Sequence, residues 1–169
     1  MTQMFVAILM GSESDMPVMD SARNVLSQFN IKTEVRVTSA HRTPEATKAY
    51  VNDAEARGCG VFIAGAGMAA HLAGAVAAQT TRPVIGVPID AGPLQGMDAL
   101  LSTAQMPGGI PVATVAIGKA GAKNAGYLAA QMLSLSDPVL AEALKQERSD
   151  NARAIESRAL EIAAELDQG

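Results

Sequence analysis

The chain has 169 residues, a length that suits one domain with a sizeable hydrophobic core rather than two domains. Apolar residues make up 49% of the chain but aromatic residues only 3%, so the core must consist mainly of aliphatic and methionine side chains. The formal net charge of -4 and the scarcity of aromatic rings argue against a nucleic-acid-binding surface.

Apolar runs with a strand pattern alternate with segments of helical spacing. Strands are predicted over Phe5–Met10, Ile31–Thr38, Val61–Ala64, Pro83–Val87 and Val112–Ile117. Helices are predicted after them, over Pro17–Phe29, Pro44–Arg57, Ala69–Gln79, Gly96–Ala104 and Ala120–Leu135. Five βα units in succession predict an α/β fold, a three-layer flavodoxin-like sandwich with a five-stranded parallel sheet in the order 2-1-3-4-5.

The last 33 positions differ in composition from the rest. They hold 12 of the 30 acidic and basic residues, together with regularly spaced apolar side chains. This pattern predicts a C-terminal arm of one or two amphipathic helices, with a possible break near Ser149–Asn151. We therefore divide the chain into a flavodoxin-like domain, residues 1–136, and a helical extension, residues 137–169, that packs on the same or a neighbouring subunit.

The middle of the chain is unusually poor in charge. Between Cys59 and Gly118 only Arg82, Asp90 and Asp98 are charged, whereas average composition of about 25% charged residues would give roughly 15. Helices of a small monomer need a charged face toward solvent. The deficit favours a homo-oligomer with apolar interfaces over an unusually apolar monomer.

The single cysteine and the N-terminal run bear on location. Cys59 excludes an internal disulfide, suits a reducing compartment and leads into an apolar strand, which favours a buried thiol over a nucleophile. The apolar run Met4–Met10 is too short for a signal peptide, and no transmembrane span is predicted. No group of residues has convincing metal-ligand spacing. The expected location is the cytoplasm, with no membrane partner.

The hexapeptide Ser39–Pro44 carries the strongest chemical signal. It places a histidine, His41, and an arginine, Arg42, where a strand ends and a helix begins. A group that titrates near neutral pH beside a fixed cation is typical of a site that binds an anion and transfers a proton on it. The alternative is structural: Thr43 caps the helix, Pro44 takes its first position, and His41 is an ordinary loop residue.

Sheet topology decides what lies near this hexapeptide. Ligands of open α/β sheets bind beyond the carboxyl ends of the strands, where the strand order reverses. The order 2-1-3 makes neighbours of Ser39–Arg42, the loop Gly11–Asp15 and the loop Gly65–His71. In the first of those loops, Asp15 is expected to accept hydrogen bonds from ribose hydroxyls, to cap the following helix, or to do both.

Several motifs in order and spacing resemble those of one family. They are Gly11-Ser12-X-Ser14-Asp15, Ser39-Ala40-His41-Arg42-Thr43-Pro44, Ala64-Gly65-Ala66-Gly67 with Ala69-Ala70-His71-Leu72, Pro83-Val84-Ile85-Gly86-Val87-Pro88, Gln105-Met106-Pro107, and Ala116-Ile117-Gly118-Lys119-Ala120-Gly121-Ala122 with Asn124-Ala125. The chain resembles the class I N5-carboxyaminoimidazole ribonucleotide mutases of purine biosynthesis from about Phe5 to Leu135. The resemblance implies conversion of that ribonucleotide to 4-carboxyaminoimidazole ribonucleotide by a homo-octamer that uses no metal, ATP or organic cofactor.

The resemblance also implies a role for each site residue. His41 is the expected catalytic proton carrier, and Arg42 the partner of the 5′-phosphate. The remaining residues expected to bind substrate are Ser12, Asp15, Ser39, Gly67 and His71. Decarboxylation, recapture of carbon dioxide at ring carbon 4 and removal of the ring proton would follow in a closed pocket, with residues 64–70 as its lid.

Two other functions stay open at this point. One is direct carboxylation of aminoimidazole ribonucleotide with carbon dioxide, by the class II relatives. That class generally has lysine where Arg42 stands, which favours class I here. The other is a nucleotide-binding protein without catalysis, which His41 disfavours. The chain also departs from the family pattern, with Met68 at a position that is usually glycine, Ala73 at one that is usually proline, and an unusual segment Asp90–Pro93.

Overall fold

The structure, a computed structural model, describes residues 4–167. The strands are β1 (Phe5–Met10), β2 (Thr33–Val37), β3 (Cys59–Gly67), β4 (Val84–Ile89) and β5 (Ala113–Thr114). The helices are α1 (Met16–Gln28), α2 (Pro44–Ala56), α3 (Leu72–Ala77), α4 (Met97–Ala104), α5 (Gly118–Ser134) and α6 (Pro138–Leu166), with a 3₁₀ turn at Glu13–Asp15.

All strand pairs are parallel, and the strand order is β2-β1-β3-β4-β5, as predicted. Every residue of β1 and β4 is buried, which explains their continuous apolar sequence. Alternate residues of β1 face opposite sides. Phe5, Ala7 and Leu9 pack into a core with Val51 of α2 and Val76 of α3. The predicted α/β sandwich is confirmed.

The other side of the sheet carries α1 and α5. A Cβ added to Gly126 of α5 would lie 2.9 Å from Cβ of Val25 in α1, so the two helices approach closely there. Met19 of α1 lies over the sheet at Gly65, where an added Cβ would be only 2.4 Å from the Met19 sulfur. The small residues of α5 and β3 thus let the layers meet at short distance.

Several boundaries differ from the predicted ones. β3 is longer because its pairing with β4 continues to Gly67 opposite Ile89. The helix predicted from Ala69 begins only at Leu72, because the N–H groups of Ala70 and His71 bond to carbonyls two residues back, in tight turns rather than in a helix. β5 is reduced to Ala113–Thr114. Gly58 follows the second helix with a φ of 96°, the left-handed conformation typical of the residue after a helix end.

The chain divides into two compact units, one ending at Leu133 and one beginning at Ser134. The second contains α6, which runs through Ser149–Asn151 without a break. The Asp137 carboxylate accepts the N–H groups of Val139 and Leu140 and caps this helix. No helix within residues 4–167 has the length and apolar character that a membrane span requires.

Candidate active site

A cavity of about 550 Å³ opens where β1, β2 and β3 end. Every predicted site residue lines it: Ser12, Asp15, Ser39, His41, Arg42, Gly67 and His71. The cavity also takes in Ala66, Met68 and Leu72, and reaches Ala91 after β4. Three loops that are 20 to 60 residues apart along the chain meet here because their strands are neighbours, as the topological rule predicts.

The loop after β1 is held by its own hydrogen bonds. The backbone N–H of Ser12 donates to Oδ2 of Asp15 at 3.0 Å, and the N–H of Ser14 donates to Oγ of Ser12 at 3.3 Å. The expectation that Asp15 caps α1 is wrong. Asp15 precedes the helix with helical backbone angles (φ -82°, ψ -13°), so its carboxylate turns back to the 3₁₀ turn and makes no bond to α1.

Asp15 is 8% exposed, and burial raises the pKa of its carboxyl above the usual 3.8, while the N–H groups of Ser12 and Gly11 lower it in part. The folded state therefore holds this proton more tightly than the unfolded state. The contribution of Asp15 to the free energy of unfolding is therefore fully present at low pH. It is lost as the pH rises from about 3.8 through the raised pKa of the folded state.

The variant Asp15→Asn should separate stability from binding. The amide oxygen still accepts the Ser12 N–H without a buried charge, so the free energy of unfolding at neutral pH should change by less than about 1 kcal/mol. Its dependence on pH should flatten in the acid range. A substrate hydroxyl would lose a charged acceptor, which should raise KM about tenfold. Urea unfolding across pH and steady-state kinetics measure both. A stability loss with unchanged KM would make Asp15 a structural residue only.

The loop after β2 contains the hexapeptide. Oγ of Ser39 accepts the Arg42 N–H at 3.1 Å, and Oγ1 of Thr43 accepts the Ser39 N–H at 2.9 Å. Pro44 begins α2 as predicted, but the Thr43 hydroxyl makes no capping bond to that helix. It is engaged instead in the loop, where it holds Ser39 in place. The guanidinium of Arg42 forms no hydrogen bond or ion pair within residues 4–167 and lies exposed at the cavity.

The two histidines of the chain are in contact. Nε2 of His41 lies 2.7 Å from Nδ1 of His71, with the ring centroids 4.9 Å apart and the planes at 81°. Since the two nitrogens share a hydrogen bond, one donates and the other accepts, so the tautomers of the two rings depend on each other. The topology predicted that these histidines lie on adjacent loops. Their direct bond depends on side-chain orientation, which the sequence does not reveal.

The loop after β3 packs against the segment after β4 and against α4. A Cβ added to Gly67 would lie 2.6 Å from Cβ of Ala91, so only glycine allows this approach. The N–H of Ala70 donates to Oγ of Ser102 at 3.1 Å. Ala91 and Ser102 were not among the predicted residues, because their positions depend on how β4 and α4 pack beside β3.

A larger cavity, about 860 Å³, lies at the opposite end of the sheet, before β4 and β5. Its polar groups include Glu55 and Arg82, which are 3.7 Å apart in an ion pair. It contains neither histidine, whereas both line the smaller cavity. Cys59 is buried as predicted, and burial raises its pKa to about 11, which keeps the thiol protonated and unreactive. Among residues 4–167, no three His, Cys, Asp or Glu side chains form a group that could hold a metal ion.

The AIR carboxylase family model matches residues 5–154, which include the whole cavity. The chain belongs to the AIR carboxylase family. Among its relatives, the N5-carboxyaminoimidazole ribonucleotide mutase of Synechocystis sp. is 53% identical over 163 residues, which cover 96% of this chain and 89% of that protein. The mutase of Bacillus subtilis is 53% identical over 153 residues, or 90% and 94% of the two chains. The crystal structure of Treponema denticola PurE has a TM-score of 0.82 at 34% identity and covers 90% of this chain and 94% of that one.

Proposed function

We propose that this member of the AIR carboxylase family is an isomerase of purine biosynthesis, converting N5-carboxyaminoimidazole ribonucleotide to 4-carboxyaminoimidazole ribonucleotide. The observation that carries the proposal is the meeting of His41, bonded to His71, with the exposed Arg42 in one cavity. Relatives that share about half of the residues over most of the chain bear this enzyme's name.

The cavity provides a group for each step of that reaction. His41 protonates the exocyclic nitrogen as its bond to the carboxylate carbon breaks and carbon dioxide leaves. Ring carbon 4 then attacks the carbon dioxide, and His41 takes up the proton that this carbon loses. Arg42 binds the 5′-phosphate through charge-assisted hydrogen bonds, while Ser12, Ser39 and Asp15 face the remaining polar groups of the nucleotide. Gly67 leaves room for the ring, and His71 binds substrate and orients His41.

Assays with two substrates test this function. The purified enzyme should form 4-carboxyaminoimidazole ribonucleotide from the N5-carboxylated nucleotide in buffer free of bicarbonate. Product formed only from aminoimidazole ribonucleotide with bicarbonate would make the chain a direct carboxylase. Tight nucleotide binding with no turnover of either substrate would leave a binding protein without catalysis.

We further propose that the enzyme is a cytoplasmic homo-octamer. Three large apolar side chains lie exposed on the segment that leads into α4 and along that helix: Leu94, Met97 and Leu101, at 60%, 53% and 52%. Exposed neighbours of this kind mark a surface that another protein covers. Exposed Ile155, Leu160 and Leu166 on α6 likewise support packing of residues 137–169 on the same or a neighbouring subunit.

Leu101→Asp should break the assembly. A lone carboxylate in an apolar interface costs on the order of 3 kcal/mol, which weakens association by about 100-fold. Light scattering after size-exclusion chromatography should then show a smaller species at micromolar concentration. Lys48→Asp, at an exposed and already charged position, is the matched control and should keep the wild-type mass. An unchanged mass for Leu101→Asp would place the interfaces elsewhere.

A further inference from the structure

Met68 combines two features that core packing does not explain. Its φ is 53°, in the left-handed region where a side chain is disfavoured. Its side chain is 55% exposed although it is large and apolar, and the residue lines the cavity that contains His41. Strained backbone conformations of this kind cluster at functional sites. The position of the Met68 thioether at the edge of the cavity therefore indicates a role in the site.

Met68 lies against Gly92, in the segment between β4 and α4. A Cβ added to Gly92 would be 3.1 Å from Cγ and 3.3 Å from Sδ of Met68. The missing side chain of Gly92 therefore makes the room that Met68 fills. Together with the close approach of Gly67 to Ala91, this contact fastens the loop after β3 to the segment after β4. The cavity is bounded there by apolar groups.

We propose that Met68, seated on Gly92, determines how well this enzyme retains the carbon dioxide that the proposed reaction releases. This inference rests on the proposed function. After the bond to the exocyclic nitrogen breaks and before ring carbon 4 attacks, the carboxylate carbon is free carbon dioxide. This small neutral molecule has no charge that a cation could bind. Only enclosure keeps it beside ring carbon 4. The methionine side chain is apolar and flexible, and fills irregular gaps well. If carbon dioxide escapes, aminoimidazole ribonucleotide is left behind.

Isotope retention measures this escape directly. The N5-carboxylate is labelled with ¹³C, turnover proceeds in excess unlabelled dissolved carbon dioxide, and mass spectrometry gives the labelled fraction of the product. A blank without enzyme corrects for spontaneous loss. Met68→Gly should raise the ratio of escape to capture at least about fivefold, which corresponds to about 1 kcal/mol. The variant is compatible with folding because glycine accepts a φ of 53° without strain.

Gln95→Gly is the matched control. Gln95 also has a positive φ, 51°, and is exposed. It lies in the segment after β4 that contains Gly92, and it does not line the cavity. Both substitutions remove a long side chain from a left-handed position, so they should affect the stability of the fold alike. Only Met68→Gly should change label retention.

Gly92→Ala separately tests the contact between Met68 and Gly92. The added methyl group should displace the thioether and increase escape in the wild-type background, yet add little in a Met68→Gly background. The strain of alanine at a φ of 73° is present in both backgrounds and cancels in the comparison.

The outcomes separate this inference from the function on which it rests. A wild-type enzyme that forms no product from the N5-carboxylated substrate contradicts the proposed function. A wild-type enzyme that does form it, with Met68→Gly retaining label as well as Gln95→Gly does, overturns the role of Met68 and leaves the function intact.

Discussion

The variant His41→Asn is expected to bind the nucleotide and lose nearly all turnover. Asparagine is polar and somewhat smaller than histidine, and its amide ends short of the position of Nε2. The 2.7 Å contact with Nδ1 of His71 is therefore lost, while the other cavity residues stay in place. It cannot take up and release a proton near neutral pH. Because a positioned acid–base group contributes about 100- to 10,000-fold, kcat should fall by that factor.

Equilibrium binding and steady-state kinetics together check the His41 prediction. The dissociation constant for the nucleotide, from calorimetry, should stay close to the wild-type value while kcat collapses. Glu45→Gln is a suitable control, since Glu45 is exposed in the first turn of α2 and does not line the cavity. Near-normal kcat in His41→Asn would show that another group carries the proton.

Removal of the Arg42 guanidinium is expected to weaken binding rather than chemistry. A hydrogen bond to a charged group contributes about 1.5–3 kcal/mol, so Arg42→Ala should raise KM by roughly 10- to 150-fold. The reacting ring atoms would remain beside His41, so kcat should change much less. The KM of Arg42→Lys should fall between those of the wild-type enzyme and Arg42→Ala, because lysine keeps the charge but not the fixed pair of donors.

Arg23→Ala provides the comparison for Arg42. Arg23 lies on α1 in a surface ion pair with Asp20, 2.9 Å apart, and does not line the cavity, so its loss removes one positive charge from the protein without touching the site. The KM of Arg23→Ala should match that of the wild-type enzyme. The wild-type KM should also rise with ionic strength, because salt screens the contact between Arg42 and the phosphate. A KM for Arg42→Ala within twofold of wild type would contradict the assignment of Arg42 to the phosphate.

The fold and the meeting of the three site loops followed from local patterns and one topological rule, while the choice of individual site residues came from the family resemblance. Continuous apolar runs identified β1 and β4, and helical spacing identified α1 and α2. The succession of five βα units led to the flavodoxin-like strand order that the structure has. Once that order is known, the ends of β1, β2 and β3 must meet. The loops at those ends line one cavity, and each residue that the resemblance selected, from Ser12 to His71, lies in that lining.

Side-chain direction could not be obtained in this way. Asp15 and Thr43 both stand immediately before a helix, where capping is the usual role. Yet the Asp15 carboxylate and the Thr43 hydroxyl each form hydrogen bonds within their own loop. The choice depends on backbone angles that several residue types share. The bond between the histidines and the contact of Met68 with Gly92 likewise depend on packing between loops far apart in sequence. Such contacts leave no periodic trace along the chain.

The most direct test of the central claim compares the wild-type enzyme with His41→Asn on N5-carboxyaminoimidazole ribonucleotide in bicarbonate-free buffer. The appearance of 4-carboxyaminoimidazole ribonucleotide is followed by absorbance and mass spectrometry. We expect rapid conversion by the wild-type enzyme and a rate at least about 100-fold lower for the variant at saturating substrate. No conversion by the wild-type enzyme, or equal rates for the two, would contradict the claim that His41 in this cavity performs the mutase reaction.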